Sequence, residues 1–163
     1  MTTTVICPYC FRPAEYLSGR IVAARFPKRW NEFYWACLPC AANVRAHKSG
    51  APMGVLANGP VRYARGEAHK AIDRLWQDPR EAGYVIPTHA DRASAQMKMR
   101  RRVYLWIADV CQMTEEQAHI GMMTHIPLLE AIRDMAREMD PATLRARYHA
   151  LPVRSYRKVR KAA

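Results

Sequence analysis

The chain has 163 residues, half of them hydrophobic, and a formal net charge of +12. That length suits one domain, or one small lobe packed on another, and no run of about 20 apolar residues exists to span a membrane. The opening MTTTVICPYC lacks the basic-then-apolar order of a secretion signal, so a cytoplasmic protein is expected.

The charge is unevenly placed. Residues 1–50 carry seven Lys and Arg against two acids, residues 51–140 hold twelve of each, and residues 141–163 carry seven cations and no acid. Such a field attracts polyanions, and nucleic acid is the commonest one in a cell; an acidic protein or a membrane surface would be attracted too.

In chain order, the first element is the pair Cys7 and Cys10 in CPYC. AEYLSGRIV follows, with Ser18-Gly19 placed as a hairpin turn between short apolar stretches. Pro27, Lys28 and Arg29 mark an exposed bend. NEFYWAC is aromatic and β-prone, and it runs into the second pair, Cys37 and Cys40 in CLPC. Short strands and loops, with no helix, are expected over residues 11–36. Residues 47–60, HKSGAPMGVLANGP, are dense in Gly and Pro and read as a linker or an irregular arm.

A helix is predicted from about Pro60, with Val61, Ala64, Ala68, Ala71, Ile72, Leu75 and Trp76 on one stripe. Two prolines and a glycine end it in a loop near 78–91. Asp91 is a candidate cap for a second helix, whose apolar face holds Val103, Trp106, Ile107 and Val110. Thr114 and Gln117 have capping-box spacing. Leu128, Leu129, Ile132, Met135 and Met139 repeat at helical period, and Asp140-Pro141 restarts the pattern as N-cap and first helical residue. The tail from residue 151 is basic and nearly without apolar residues, so it is expected to be flexible alone. The fold class is α+β: a small N-terminal four-cysteine zinc-ribbon lobe (1–50), a bundle of three to four helices (51–150), and the basic tail (151–163).

The cysteine spacing is C-x2-C-x26-C-x2-C. A CxxC turn offers two sulfurs on one side of a tight loop, and two such knuckles complete a tetrahedral site with Zn–S bonds of about 2.3 Å. A reducing cytosol disfavours disulfides for these pairs. One structural zinc on Cys7, Cys10, Cys37 and Cys40 is the expected cofactor, and an iron–sulfur cluster uses the same ligand type. A thioredoxin-like redox pair needs a βαβ scaffold, whereas both pairs here precede any predicted helix. A zinc deaminase needs H-x-E, which is absent from the chain. His47 is a less favoured substitute ligand, and Cys111 reads as a buried core thiol.

Phosphate loops of the GxGxxG and GxxxxGK types are absent, as is HExxH. Two features interleave cations with aromatics, the mixture that holds phosphates and stacks bases. One is Arg25, Lys28, Arg29 and Trp30. The other is the tail, with Arg154, Tyr156, Arg157, Lys158, Arg160 and Lys161. KMRRR (98–102) is a further charge run and reads as a solvated face. His119 and His125 are candidates for a second metal or for catalysis, although a packing turn between helices suits them better.

The phrase CPYC…FYWACLPCAANVRAHKSGAPMGVLAN resembles the opening of a family of small zinc-finger-containing proteins of bacteriophages and prophages that carries no assigned activity. The carrying residues are the two proline-bearing knuckles, the aromatic run Phe33 to Trp35, His47 to Gly50, and Gly54 to Asn58. AHKAIDRLW and VYLWIADVCQMTEEQAHIGMM extend the likeness. The chain departs from the pattern in a longer link between Trp76 and Tyr104, in Ser49, and in the basic tail. The resemblance implies a zinc lobe fused to helices and a phage origin, hence a host-cell cytoplasm. The expected function is a non-catalytic, zinc-stabilised nucleic-acid-binding accessory protein. The alternatives are an adaptor or inhibitor that binds a host protein and, less favoured, a metal-dependent nuclease. DNA versus RNA and the oligomeric state are left open by the sequence.

Overall fold

A computed structural model describes residues 4–150. The N-terminal part is a three-stranded antiparallel sheet in the order β1 (Glu15–Ser18), β2 (Phe33–Cys37), β3 (Ala42–Arg45). The register sets Tyr16 opposite Trp35 and Trp35 opposite Val44. Strand alternation then puts Tyr34 and Ala36 on the other, buried face. A small core gathers Cys7, Ala14, Cys37, Ala42 and Leu56.

The segment 11–36 contains a helix where the sequence predicts none. Ser18-Gly19 does not turn a hairpin. Ser18 accepts from the Arg20 amide and caps a single helical turn, α1 (Gly19–Val22), and a 3-10 turn follows at Pro27–Arg29. The strands pair across this longer connection. Short-range Gly/Ser turn chemistry is shared by both outcomes, so the local pattern does not separate them. Gly19 is essential to the closure. A Cβ there would lie 1.9 Å from the Arg29 carbonyl oxygen, and the Gly19 amide donates to Glu32 at 2.8 Å.

The helices are α2 (Gly59–Gln77), α3 (His89–Val110), α4 (Ile126–Glu138) and α5 (Pro141–Arg147). Helix α2 packs on both α3 and α4, and α3 meets α5. The predicted α2 stripe is buried, with Trp76 half-buried against the same core. Ile72, Leu75, Met99, Val103, Trp106, Ile107, Leu129 and Ile132 fill the centre. Asp140 caps α5, accepting from the Thr143 amide at 2.7 Å. Thr114 and Gln117 exchange the two capping-box bonds across a turn.

Four expectations need correction here. The cap of α3 lies three residues before Asp91: it is Thr88, and Asp91 is its reciprocal partner in a capping box. Val110 sits at the last turn of α3 and is exposed rather than core. Cys111, the C-cap, is half-buried, and burial raises its thiol pKa. KMRRR is not wholly solvated. Arg102 is buried and donates to the Tyr84 hydroxyl and to the carbonyls of Tyr148 and His149.

The segment 47–60 is an arm with fixed contacts at both ends. Ala46 bridges Pro52 and Asn43 bridges Ala57. Leu56 enters the ribbon core and its neighbour Ala57 the helical core. Gly54 lies against the Gly121 backbone, where a Cβ would come within 2.5 Å of the carbonyl oxygen. Asn58 caps α2 through the Val61 amide at 3.2 Å. Among the described residues, no helix is long and apolar enough to cross a membrane.

Candidate metal centre

The two knuckles stand on two hairpins. The first sits above the bridge between Ile6 and Pro13, with Cys7 donating to Arg12 and accepting from Phe11, both at 2.9 Å. The second is the turn from β2 to β3, closed by Ala41 donating to Leu38 at 3.0 Å. Each knuckle is followed by a left-handed residue, Phe11 at φ 58° and Ala41 at φ 48°. Neither is glycine, so each position costs about 1–2 kcal/mol that the surrounding site must offset.

The sulfurs of Cys7, Cys10, Cys37 and Cys40 all lie within 4.8 Å of one another, and those of Cys10 and Cys37 are 3.6 Å apart. A regular tetrahedron with Zn–S bonds of about 2.3 Å has edges of about 3.8 Å. Cys7 and Cys37 are buried, and Cys10 and Cys40 are half-buried.

The electrostatics of the group call for a cation. The Arg12 backbone amide is the main cause that lowers the Cys10 thiol to about 7. Cys40 is pushed up to about 12, first by its hydrogen bond with Cys10 and then by burial. One thiolate forms readily, and its neighbours then resist ionisation. A divalent ion removes that resistance and takes four thiolates as ligands. These residues therefore fit zinc. With all four bound, the tetrahedral shell has no open position for a reacting water.

Both knuckles are tied to the start of α2. Tyr9, inside the first knuckle, packs on both cores, and its hydroxyl accepts from the Asn58 amide at 3.3 Å. Arg62 reaches from α2 to the Ala41 carbonyl at 3.2 Å and the Ala57 carbonyl at 2.6 Å. Arg65 holds the arm, donating to Val55 at 2.9 Å and to Met123 at 2.8 Å. The metal group thus fixes the ribbon and its orientation on the helices together.

The remaining candidates fall in separate places. Arg25, Lys28, Arg29 and Trp30 lie on the exposed connection 19–32. Trp30 donates its ring N–H to Ala24 at 3.1 Å, and the Arg20 guanidinium lies 5.3 Å from its ring centre. Arg29 lies 5.7 Å from the Phe26 ring centre. Arg154, Tyr156, Arg157, Lys158, Arg160 and Lys161 lie outside the described residues. The ring of His119 is 4.3 Å from that of Tyr104, and His125 precedes α4 as its N-cap without a side-chain cap bond. Among the described residues, the one group of three or more His, Cys, Asp or Glu with metal-holding spacing is the four-cysteine group, so His47, His119 and His125 enter none.

Sequence reasoning did not single out the face of the sheet that shows Tyr16, Phe33 and Trp35. The signal was present in FYW: period-two alternation puts Phe33 and Trp35 on one side and Tyr34 on the other. The model of a family described as a zinc-finger-containing domain matches residues 3–138, which includes both knuckles, the arm and α2 to α4. No curated protein and no solved structure matches the chain.

Proposed function

This chain belongs to the family of zinc-finger-containing domains, and from that membership we propose that it is a non-catalytic nucleic-acid-binding protein whose binding surface is held in shape by one zinc ion. The observation that carries the reading is the connection 19–32. Arg20, Arg25 and Lys28 make no ion pair among the described residues, Arg29 lies near enough to Glu32 to help lower its pKa, and the four stand beside the exposed rings of Phe26 and Trp30. Cations of this kind meet phosphates, and the affinity is electrostatic and salt-dependent. The tail cations would add to the same attraction. A phage accessory role in the host cytoplasm accords with a small closed-site protein of this kind.

The test is a fluorescence-anisotropy titration of labelled single- and double-stranded oligonucleotides over a salt series. Micromolar or tighter binding that weakens steeply with salt supports the reading. Absence of binding at low salt defeats it.

A second reading, a protein-binding adaptor, is favoured by one feature. The knuckles carry exposed Phe11 and Leu38, with exposed Ile6 at the base of the first, apolar residues of a kind that mark protein contacts when they are contiguous. Retention of a protein partner after nuclease treatment, combined with no affinity for oligonucleotides, would select it.

A further inference from the structure

We infer that the open face of the ribbon sheet is a base-stacking site for single-stranded nucleic acid, an inference that rests on the nucleic-acid reading above. Tyr16 and Phe33 stack in parallel, with ring centres 5.2 Å apart and planes 1° from parallel. Trp35 leans on Tyr16 from the same face, also at 5.2 Å, and is anchored by its ring N–H donating to the Gly50 carbonyl at 2.8 Å. Burial does not explain the arrangement: Tyr16 is 44% and Phe33 48% exposed. The rings stabilise one another across the strands, yet about half of Tyr16 and of Phe33 stays in water, where an unpaired base has a face to lay on them.

The neighbouring cleft supplies the rest of the chemistry. It has a volume of about 500 Å³ and is lined by Tyr16 and Phe33 together with Arg45, His47 and Lys48, a size in the range of small-ligand sites. Its acid, Glu32, is already engaged by the Tyr34 hydroxyl at 2.6 Å and by Arg45 at 3.0 Å. Lys48 has no ion pair among the described residues. Over residues 15–50 six cations face two acids, so the surround of the rings suits a polyanion. Duplex bases are stacked on one another and offer no free face, which is why the site selects a single strand.

The experiment measures the affinity of the full zinc-loaded protein for an oligothymidylate and an oligouridylate of about 12 nucleotides, for a duplex, and for an abasic strand of equal length. Phe33→Leu keeps an apolar side chain and removes the ring; Tyr16→Leu is the second variant. Zinc content and melting temperature establish that each variant is folded. Expected are tighter binding of at least one base-bearing strand than of the abasic strand, and a loss of about tenfold in either variant for that strand alone. Equal binding of base-bearing and abasic strands overturns the stacking site and leaves the nucleic-acid reading standing. So does an equal loss on the abasic strand. No binding of any strand at low salt overturns both and leaves the platform to a protein partner.

Discussion

The ribbon and the helical lobe both hold arginines, and they use them in opposite directions. In the helical lobe several guanidinium groups turn inward, while others, such as Arg100 and Arg137, stay at the surface. Arg74 caps the end of α4 through the carbonyls of Ala136, Arg137 and Met139. Arg102 is buried on the end of α5, and Arg145 bonds Ala82 and lies 4.0 Å from the centre of the Tyr84 ring. In the ribbon, Arg20, Arg25, Lys28 and Arg29 stay at the surface and close no backbone. A cation on a carbonyl at a helix end stabilises the fold, whereas an exposed one contributes little to stability and much to the field. Net charge alone therefore does not say which cations are free to meet a ligand; the contacts of each one do.

The largest expected effect comes from the metal. Chelation of zinc from the folded protein removes binding free energy on the order of 10 kcal/mol. Hydrogen exchange should then show amides of residues 5–57 losing protection well before those of α2 and α4. Simultaneous loss throughout would mean the two lobes fold as one unit. Next is Arg102→Met, which leaves the Tyr148 and His149 carbonyls without their donor and is expected to cost about 2–4 kcal/mol. Replacing Arg25, Lys28 and Arg29 together by Ala should change stability by no more than about 0.5 kcal/mol per site. Denaturant melts of the two variants set the inward and outward arginines side by side, and comparable losses would erase the distinction.

Gly19→Ala comes third. The added carbon meets the Arg29 carbonyl, so the connection 19–32 must shift at a cost of about 1–3 kcal/mol, and oligonucleotide affinity should fall with it. The smallest effect concerns acid. Burial holds His69 on α2 below its ordinary pKa, with Arg100 and Arg65 adding to this and Asp73 opposing it. The unfolded chain therefore takes up the proton first as pH falls. Stability is retained above about 6.5 and declines below it as pH moves toward the folded pKa. His69→Gln should flatten the pH dependence of the melting temperature between about pH 7 and pH 5; an unchanged slope would place that dependence elsewhere.

Much of the frame is legible in the sequence because its signals are local. Two CxxC units define the metal group, and the stripe from Val61 to Leu75 defines α2. Asp140-Pro141 sets the start of α5. What escapes is what depends on distant partners. Whether Ser18-Gly19 turns a hairpin or opens a helical turn is decided by the Glu32 and Arg29 carbonyls, ten or more positions away. Arg100 and Arg102 are nearly adjacent in a charge run, yet one is exposed and the other is buried beneath Tyr148. Gly54 to Asn58 reads as loose arm, but its contacts are fixed one by one. Gly54 makes a close approach, Leu56 enters one core, Ala57 enters the other, and Asn58 caps a helix.

The claim that the zinc-held ribbon presents the nucleic-acid surface is tested most directly by the salt slope of oligonucleotide affinity. The wild-type chain is compared with the Arg25→Ala, Lys28→Ala, Arg29→Ala triple variant, both zinc-loaded. Each lost phosphate contact on a single strand lowers the slope of log affinity against log salt by about 0.7. The account predicts a slope shallower by about 1.4 to 2.1, from two or three lost contacts, with only a small change in melting temperature. A slope equal to that of the wild type would contradict it.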